Sequence, residues 1–290
     1  MPIDTELLRK RVERLDGLPT LPTVASSLVS MTQSPQTSAT QIGELISKDQ
    51  ALTARVLKLV NSAYYGFPKQ ISTVNHAVVI LGFSRVKNIV LAASVFGMKG
   101  QQGPQRFDAT GFWVHSLGAA VASRTVARDL GRGDAEEAFV CGLLHDIGKL
   151  VFAQLAPEDY DRCLAAAEQR GELIRKIEIE VFGVDHTEVG SWLAEQWKLP
   201  PAVVAGVRRH HTPTATRKDR DAACVTHLAD VLSRALQIGW AGDQTVARID
   251  PTVAQETGLT PATLDKLLDR LLDELDKAKD FFDMLGGPGK

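Results

Sequence analysis

The segment Cys141-Gly142-Leu143-Leu144-His145-Asp146-Ile147-Gly148-Lys149-Leu150 sets an imidazole and a carboxylate side by side in an otherwise apolar run. Burying such a pair without partners costs on the order of several kcal/mol. The surrounding fold must therefore supply hydrogen bonds or a cation. Apolar residues flank the pair at three- and four-residue spacing, and that spacing recurs along nearly the whole chain, whereas sustained alternation is hard to find. The period predicts an all-helical protein without a convincing strand.

Moving outward, residues 38–61 read as two short helices, one carrying Leu45 and Ile46, the other Leu52, Val56, Leu57 and Val60, with Asp49 as the cap between them. A further helix is expected from about Thr73 to Leu81. Gly82 and Phe83 then break it, and Ser84 caps the next, which carries Val86, Ile89, Val90 and Leu91. The glycine- and proline-rich stretch Gly97–Pro104 is the candidate linker between two helical halves. Helices resume near Phe107. Asp185 and Glu188 form a D-x-x-E capping signature that places His186 in a first helical turn. Pro200 and Pro201 open a helix over Ala202 to His211. A last helix starts near Thr260-Pro261, with Leu264, Leu267, Leu268, Leu271, Leu275 and Phe282 on one face, which packs on the body of the chain, the commoner case, or on a second copy. Trp113, Trp192 and Trp197 are expected to fill the core of the second half. Asn61-Ser62-Ala63-Tyr64-Tyr65-Gly66 reads as a turn-shaping segment. The expected division is a helical half over 1–100, a second half over 107–240 and a C-terminal amphipathic helix over 250–290.

The chain has 290 residues, 44% hydrophobic and 23% charged, with 33 Lys and Arg against 35 Asp and Glu and a formal charge of −2. That composition excludes a disordered chain. It also argues against nucleic-acid binding, which needs a concentrated basic face; Arg217-Lys218-Asp219-Arg220 reads as a solvated loop. Three dispersed cysteines form no C-x-x-C pair, so neither a disulfide framework nor a thiolate zinc site is expected, and Cys141 reads as packing. No run of about 18 apolar residues and no basic start with an apolar stretch occurs. The expectation is a soluble, cytoplasmic protein without a membrane partner.

Chemistry concentrates in the second half. All histidines but His76 follow the candidate linker. Around His145 and Asp146 stand His115, His186, the doublet His210-His211, and Asp230 inside the apolar helix His227-Leu228-Ala229-Asp230-Val231-Leu232. Imidazole and carboxylate are ligands for Fe, Mn, Zn or Ni, and a carboxylate can bridge two ions. Five histidines and two aspartates suffice for two divalent metals. A metal-free hydrogen-bonded network would also satisfy the same groups. Lys149 sits near a helix end, where a lysine ordinarily reaches solvent.

The order H, then HD followed by Ile-Gly-Lys, then H, then HH, then D resembles the HD superfamily of metal-dependent phosphohydrolases and, within it, the HD-GYP branch that hydrolyses cyclic di-GMP. Leu18-Pro19-Thr20-Leu21-Pro22, Ile46-Ser47-Lys48-Asp49-Gln50-Ala51-Leu52, Asn61 through Gly66, and Ala77 through Gly82 are similar to the HDOD family, the HD-related output domain of bacterial signalling. With Gly142 through Gly148, His186 and Leu199-Pro200, the likeness covers roughly residues 15–235.

The resemblance implies an all-helical fold in two subdomains, the second an HD-like bundle, a bacterial source, and a regulatory or interaction role with little or no hydrolase activity. It implies signalling proteins supplied in trans as partners, and a nucleotide or other small ligand. Carried over by residue, His115, His145 and Asp230 would hold one ion, His186, His210 and His211 a second, and Asp146 would bridge. Lys149 would stabilise phosphate charge or protonate a leaving oxygen, which makes Asp146 and Lys149 the catalytic candidates of the alternative reading, a phosphodiesterase acting on a nucleotide or cyclic dinucleotide. After the HH doublet the chain reads Thr212-Pro213-Thr214, where the HD-GYP branch has an acidic residue and Gly-Tyr-Pro.

Overall fold

The computed structural model describes residues 5–14, 18, 21, 23–31, 37–95, 104–215 and 217–284, without the side chains of residues 280 and 281. Among these residues every regular element is helical. The candidate linker lies outside the described residues except for Pro104, as do Pro19, Thr20 and Pro22. The chain divides into two compact units: Met1–Pro19 with Lys99–Leu272, and Thr20–Met98 with Asp273–Lys290.

In the smaller unit the local signals determine the helix ends. Ser38 and Gln41 exchange side-chain and backbone hydrogen bonds as a capping box in front of Ala39–Ser47. Asp49 Oδ1 accepts from Leu52 N at 2.9 Å and opens Gln50–Val60. Thr73 caps Val74–Leu81, and Gly82, at φ 83°, ends it. The next helix begins at once, Phe83–Val95, so Ser84 lies within its first turn and does not cap it. A single residue with positive φ redirects the chain, which glycine tolerates without a Cβ clash. Asn61 staples the loop that follows Gln50–Val60. Its Oδ1 accepts from Ile71 N at 2.7 Å, and its Nδ2 donates to Leu57 O at 2.7 Å and Ile71 O at 2.8 Å. Leu28, Ile42, Ile46, Leu52, Leu59 and Ile71 fill the core of this unit.

In the larger unit the long helix Ala109–Leu130 packs on Ala135–Leu144 and Arg220–Ala235. Pro201–Arg209 packs on Arg220–Ala235 and on His186–Gln196, and the latter also meets Ile147–Leu155 and Thr5–Glu13. The span Ala135–Leu155 is long and apolar enough to cross a bilayer, yet 94% of it is buried inside the protein, as the core of a packed bundle. Gly148 allows the closest approach: a Cβ there would overlap the carbonyl oxygen of His186. The tryptophans Trp113, Trp192 and Trp197 are buried in this unit. Pro261–Lys277 turns Leu267 and Leu271 into the protein, and Arg270 Nη1 donates to Asp129 Oδ1 at 2.8 Å.

Candidate metal centre

Helix ends deliver most of the site. His145 closes Ala135–Leu144 and Asp146 opens Ile147–Leu155, so the HD pair is the turn between two core helices. His186 is the first residue of His186–Gln196, behind the cap Asp185, which accepts from the backbone of Thr187 and Glu188. Glu188 does not reciprocate in a capping box; its Oε1 accepts from Trp192 Nε1 at 3.1 Å. His210 caps Pro201–Arg209, so the helix ends two residues before the expected end at His211. His115 and Asp230 come from the middles of Ala109–Leu130 and Arg220–Ala235, which pack side by side.

These elements bring all seven candidate ligands together as two groups. His115, His145, Asp146 and Asp230 form one, and His186, His210 and His211 the other; within each, the ligand atoms lie within 4.8 Å of one another. Asp146 stands between them. Its Oδ2 lies 3.2 Å from His145 Nε2 and 3.7 Å from His115 Nε2, and its Oδ1 lies 3.2 Å from His186 Nε2 and 3.8 Å from His210 Nε2. Asp230 Oδ1 is 3.3 Å from His115 Nε2 and 3.5 Å from His145 Nε2. His186 Nε2 and His211 Nε2 are 3.1 Å apart. Every one of these groups is buried except His211, which is partly exposed.

The outward nitrogens orient the inward ones. His115 Nδ1 meets Ile238 O at 3.2 Å, His145 Nδ1 meets Gly142 O at 2.7 Å, and His210 Nδ1 meets Val207 O at 2.9 Å. His186 Nδ1 meets Glu178 Oε2 at 2.6 Å. Each of these oxygens accepts, so each Nδ1 carries the proton and leaves Nε2 for the centre of the cluster. Among the described residues, the Nε2 atoms of His115, His145 and His210 make no hydrogen bond there, nor does Asp146 Oδ1. Converging buried imidazole nitrogens and a carboxylate oxygen without hydrogen bonds fit a divalent cation, and the lack of thiolate suits Fe, Mn, Ni or Zn over softer ions.

The electrostatics follow from this crowding. Burial raises the cost of charge on Asp146, but His145, Lys149 and His186 outweigh it and hold its carboxyl well below the ordinary range. Asp230 is held low in the same way, with Arg234 the leading partner against burial. Burial lowers His115, and burial with neighbouring imidazoles lowers His210 and His211 strongly. His145 goes the other way: despite burial, its contacts with Asp146 and Asp230 raise it to about 9.

Lys149 departs from the solvent-reaching position expected of it. It is fully buried, and its Nζ donates to Asp146 Oδ2 at 2.5 Å and to Ala241 O at 2.7 Å. Several site residues were not expected from the sequence. Glu178 also accepts from His186 N at 2.9 Å and from Tyr160 OH at 3.2 Å. Arg234 Nε donates to Asp230 Oδ1 at 3.0 Å. His227 Nδ1 donates to His210 O at 2.8 Å, while its Nε2 accepts from Asp250 N at 3.0 Å. Two of these carried a signal: Glu178 interrupts the apolar stripe Ile174, Phe182 at four-residue spacing, and Arg234 follows Asp230 by one turn. Cys141 is buried, with its thiol pushed up by burial, consistent with packing.

Comparison with known proteins places this arrangement in a family. The HDOD domain model matches residues 18–213, and the chain belongs to that family. It is 28% identical over 213 residues to an uncharacterized protein of Treponema pallidum (strain Nichols), a match that takes in 71% of this chain and 40% of that protein. The chain thus spans well under half the length of that relative. The crystal structure of a "putative phosphohydrolase" from Shewanella amazonensis SB2B superposes with a TM-score of 0.76 at 26% identity, over 96% of this chain and 98% of that one. An HDOD domain protein of unknown function from Geobacter sulfurreducens has the same fold, with a TM-score of 0.74 at 22% identity over 97% of each chain.

Proposed function

We propose that this HDOD protein is a metal-holding regulatory module of bacterial signal transduction, with an HD-type centre that senses or stabilises and does not turn over substrate at an appreciable rate. The observation that carries the metal is the convergence of unpartnered Nε2 atoms and Asp146 Oδ1 in a buried centre. Their Nδ1 atoms are turned to Ile238 O, Gly142 O, Glu178 and Val207 O, so Nε2 is the nitrogen each ring presents to the centre. A regulatory role is supported by burial. Of the seven candidate ligands His211 alone is partly exposed, which leaves little of the centre open to a substrate. Partners supplied in trans, a small-molecule ligand and a cytoplasmic location belong to the same reading.

A second reading, a metal-dependent phosphohydrolase, is favoured by Lys149, whose ammonium touches Asp146. Bound divalent ions would polarise a phosphoryl oxygen. His115, His145, His186, His210, His211, Asp146 and Asp230 would hold them, and Lys149 would offer its ammonium to phosphate charge. Elemental analysis of protein purified without chelator, beside Asp146→Ala and Asp146→Asn, tests the first reading. Divalent metal in the parent and its loss in the variants is the expected result, with hydrolysis of bis(p-nitrophenyl) phosphate and of cyclic dinucleotides at background. Metal-dependent turnover abolished in both variants would establish the hydrolase instead. A folded parent without metal would overturn both.

A further inference from the structure

The two halves of the cluster differ in what already sits on their oxygens. In the half formed by His115, His145, Asp146 and Asp230, both carboxylates have a fixed cation of the protein on them. Lys149 Nζ lies 2.5 Å from Asp146 Oδ2, and Arg234 Nε lies 3.0 Å from Asp230 Oδ1. Both cations are buried and tied to the same carbonyl: Ala241 O is 2.7 Å from Lys149 Nζ and 3.4 Å from Arg234 Nη2. Arg234 is further clamped by Asp243 Oδ1 at 3.1 Å and Thr245 O at 3.2 Å. Asp243 is itself held by the backbone of Ile174 and Thr245. The guanidinium therefore cannot swing away without breaking its contacts with Ala241, Asp243 and Thr245.

The other half presents the opposite case. Among the described residues, His186, His210 and His211 bring three imidazoles, two of them in contact through Nε2 at 3.1 Å, and no lysine or arginine ion-paired to them, and the oxygen that faces them, Asp146 Oδ1, is the one without a hydrogen bond. Glu178 behind His186 adds negative charge on the far side of that ligand. Partial exposure of His211 gives this half its contact with solvent.

We propose that the centre fills in order: one divalent ion binds tightly to His186, His210, His211 and Asp146 Oδ1, whereas a second must displace Lys149 from Asp146 Oδ2 and share Asp230 with Arg234. Lys149 and Arg234 act as built-in counter-cations of the enclosed half. An ion arriving there loses a charge-assisted hydrogen bond that the protein has already made, and it meets two positive charges in a poorly hydrated interior. The second ion should accordingly bind roughly 10- to 100-fold more weakly than the first, the equivalent of one such bond. The inference rests on the metal-binding reading and goes beyond it by assigning which half is exchangeable.

Titration calorimetry and equilibrium dialysis of the chelator-stripped full chain with Mn²⁺ and Zn²⁺ test it. One tight equivalent is expected in the parent. His211→Ala should lose it and His115→Ala should keep it, while Lys149→Met should bring the second ion to within a few-fold of the first. The histidine pair decides the matter even if Lys149→Met fails to fold. Two ions of equal affinity in the parent, or loss of the tight ion in His115→Ala with retention in His211→Ala, would overturn the ordered filling and leave metal binding standing. No metal in the folded parent would remove the reading beneath it.

Discussion

Replacing Glu178 by glutamine isolates what the groups behind the ligands contribute. Glu178 is buried and accepts three hydrogen bonds: from His186 Nδ1 at 2.6 Å, from His186 N at 2.9 Å and from Tyr160 OH at 3.2 Å. In Glu178→Gln the amide oxygen can still accept from His186, and the amide N–H can donate to the tyrosine oxygen, so shape and bonding are largely retained. The negative charge is lost. A histidine ligand backed by a carboxylate is more basic than one backed by an amide, and loss of such a partner typically costs 10- to 100-fold in metal affinity, about 1.4–2.7 kcal/mol. Glu178→Ala, by contrast, orphans three buried donors at about 1–3 kcal/mol each and should lower stability by at least roughly 3 kcal/mol even without metal. Competition of each variant with a chromogenic chelator for Zn²⁺, beside thermal unfolding of the stripped proteins, separates the two effects. Glu178→Gln should unfold near the parent temperature and bind metal at least tenfold more weakly. Unchanged affinity in a folded Glu178→Gln would refute the assignment of His186 as a ligand tuned through its Nδ1 proton.

Other substitutions probe the frame and the charge. Gly148→Ala forces a methyl into the backbone of His186; overpacking of this kind costs about 1–3 kcal/mol, and a drop in unfolding midpoint together with loss of bound metal is expected. His227→Ala removes a donor to His210 O and an acceptor for Asp250 N. Denaturant titration should register about 2 kcal/mol for the two bonds, with slower recovery of metal after stripping as His210 loses its support. For the metal-free chain, stability should peak near pH 6.5–7. His115, His210 and His211 are held below the ordinary value of 6.5, so the unfolded chain takes up more protons than the fold as pH drops through 6.5. His145 is raised to about 9, so the stability it contributes is complete below 6.5 and is lost as pH rises through 9. Asp146 and Asp230, held low, contribute above the ordinary carboxylate range and lose that contribution in acid. A midpoint that stays flat from pH 5 to 9 in stripped protein would contradict this balance.

The helical class and the caps at Asp49 and Asp185 follow from the residues themselves, and the grouping of His115, His186, His210, His211 and Asp230 with His145 and Asp146 is what the resemblance of their order to the HD pattern implies. The reason is local: periodicity sets which face is buried, a short polar side chain ends or begins a helix within one turn, and a buried histidine beside an aspartate demands partners wherever it sits. Ser84 misled because it stands two residues past a glycine, where a cap would sit if Gly82 and Phe83 together formed the break; at φ 83° Gly82 makes the turn alone and Phe83 is already helical. Lys149 misled for a related reason. Helix-end lysines reach solvent only if their face does, and it is the packing of Ile147–Leu155 on His186–Gln196, together with the loop backbone at Ala241, that encloses this one.

What tertiary structure alone decided is how charge is distributed inside the cluster. Nothing local announces that Glu178 backs His186, that Ala241 O ties Lys149 to Arg234, or that Ile238 O turns the ring of His115. These are contacts between groups from 7 to 123 residues apart in the chain. Their strength comes from the desolvation that packing imposes, and desolvation belongs to the assembled interior and to no segment of the sequence.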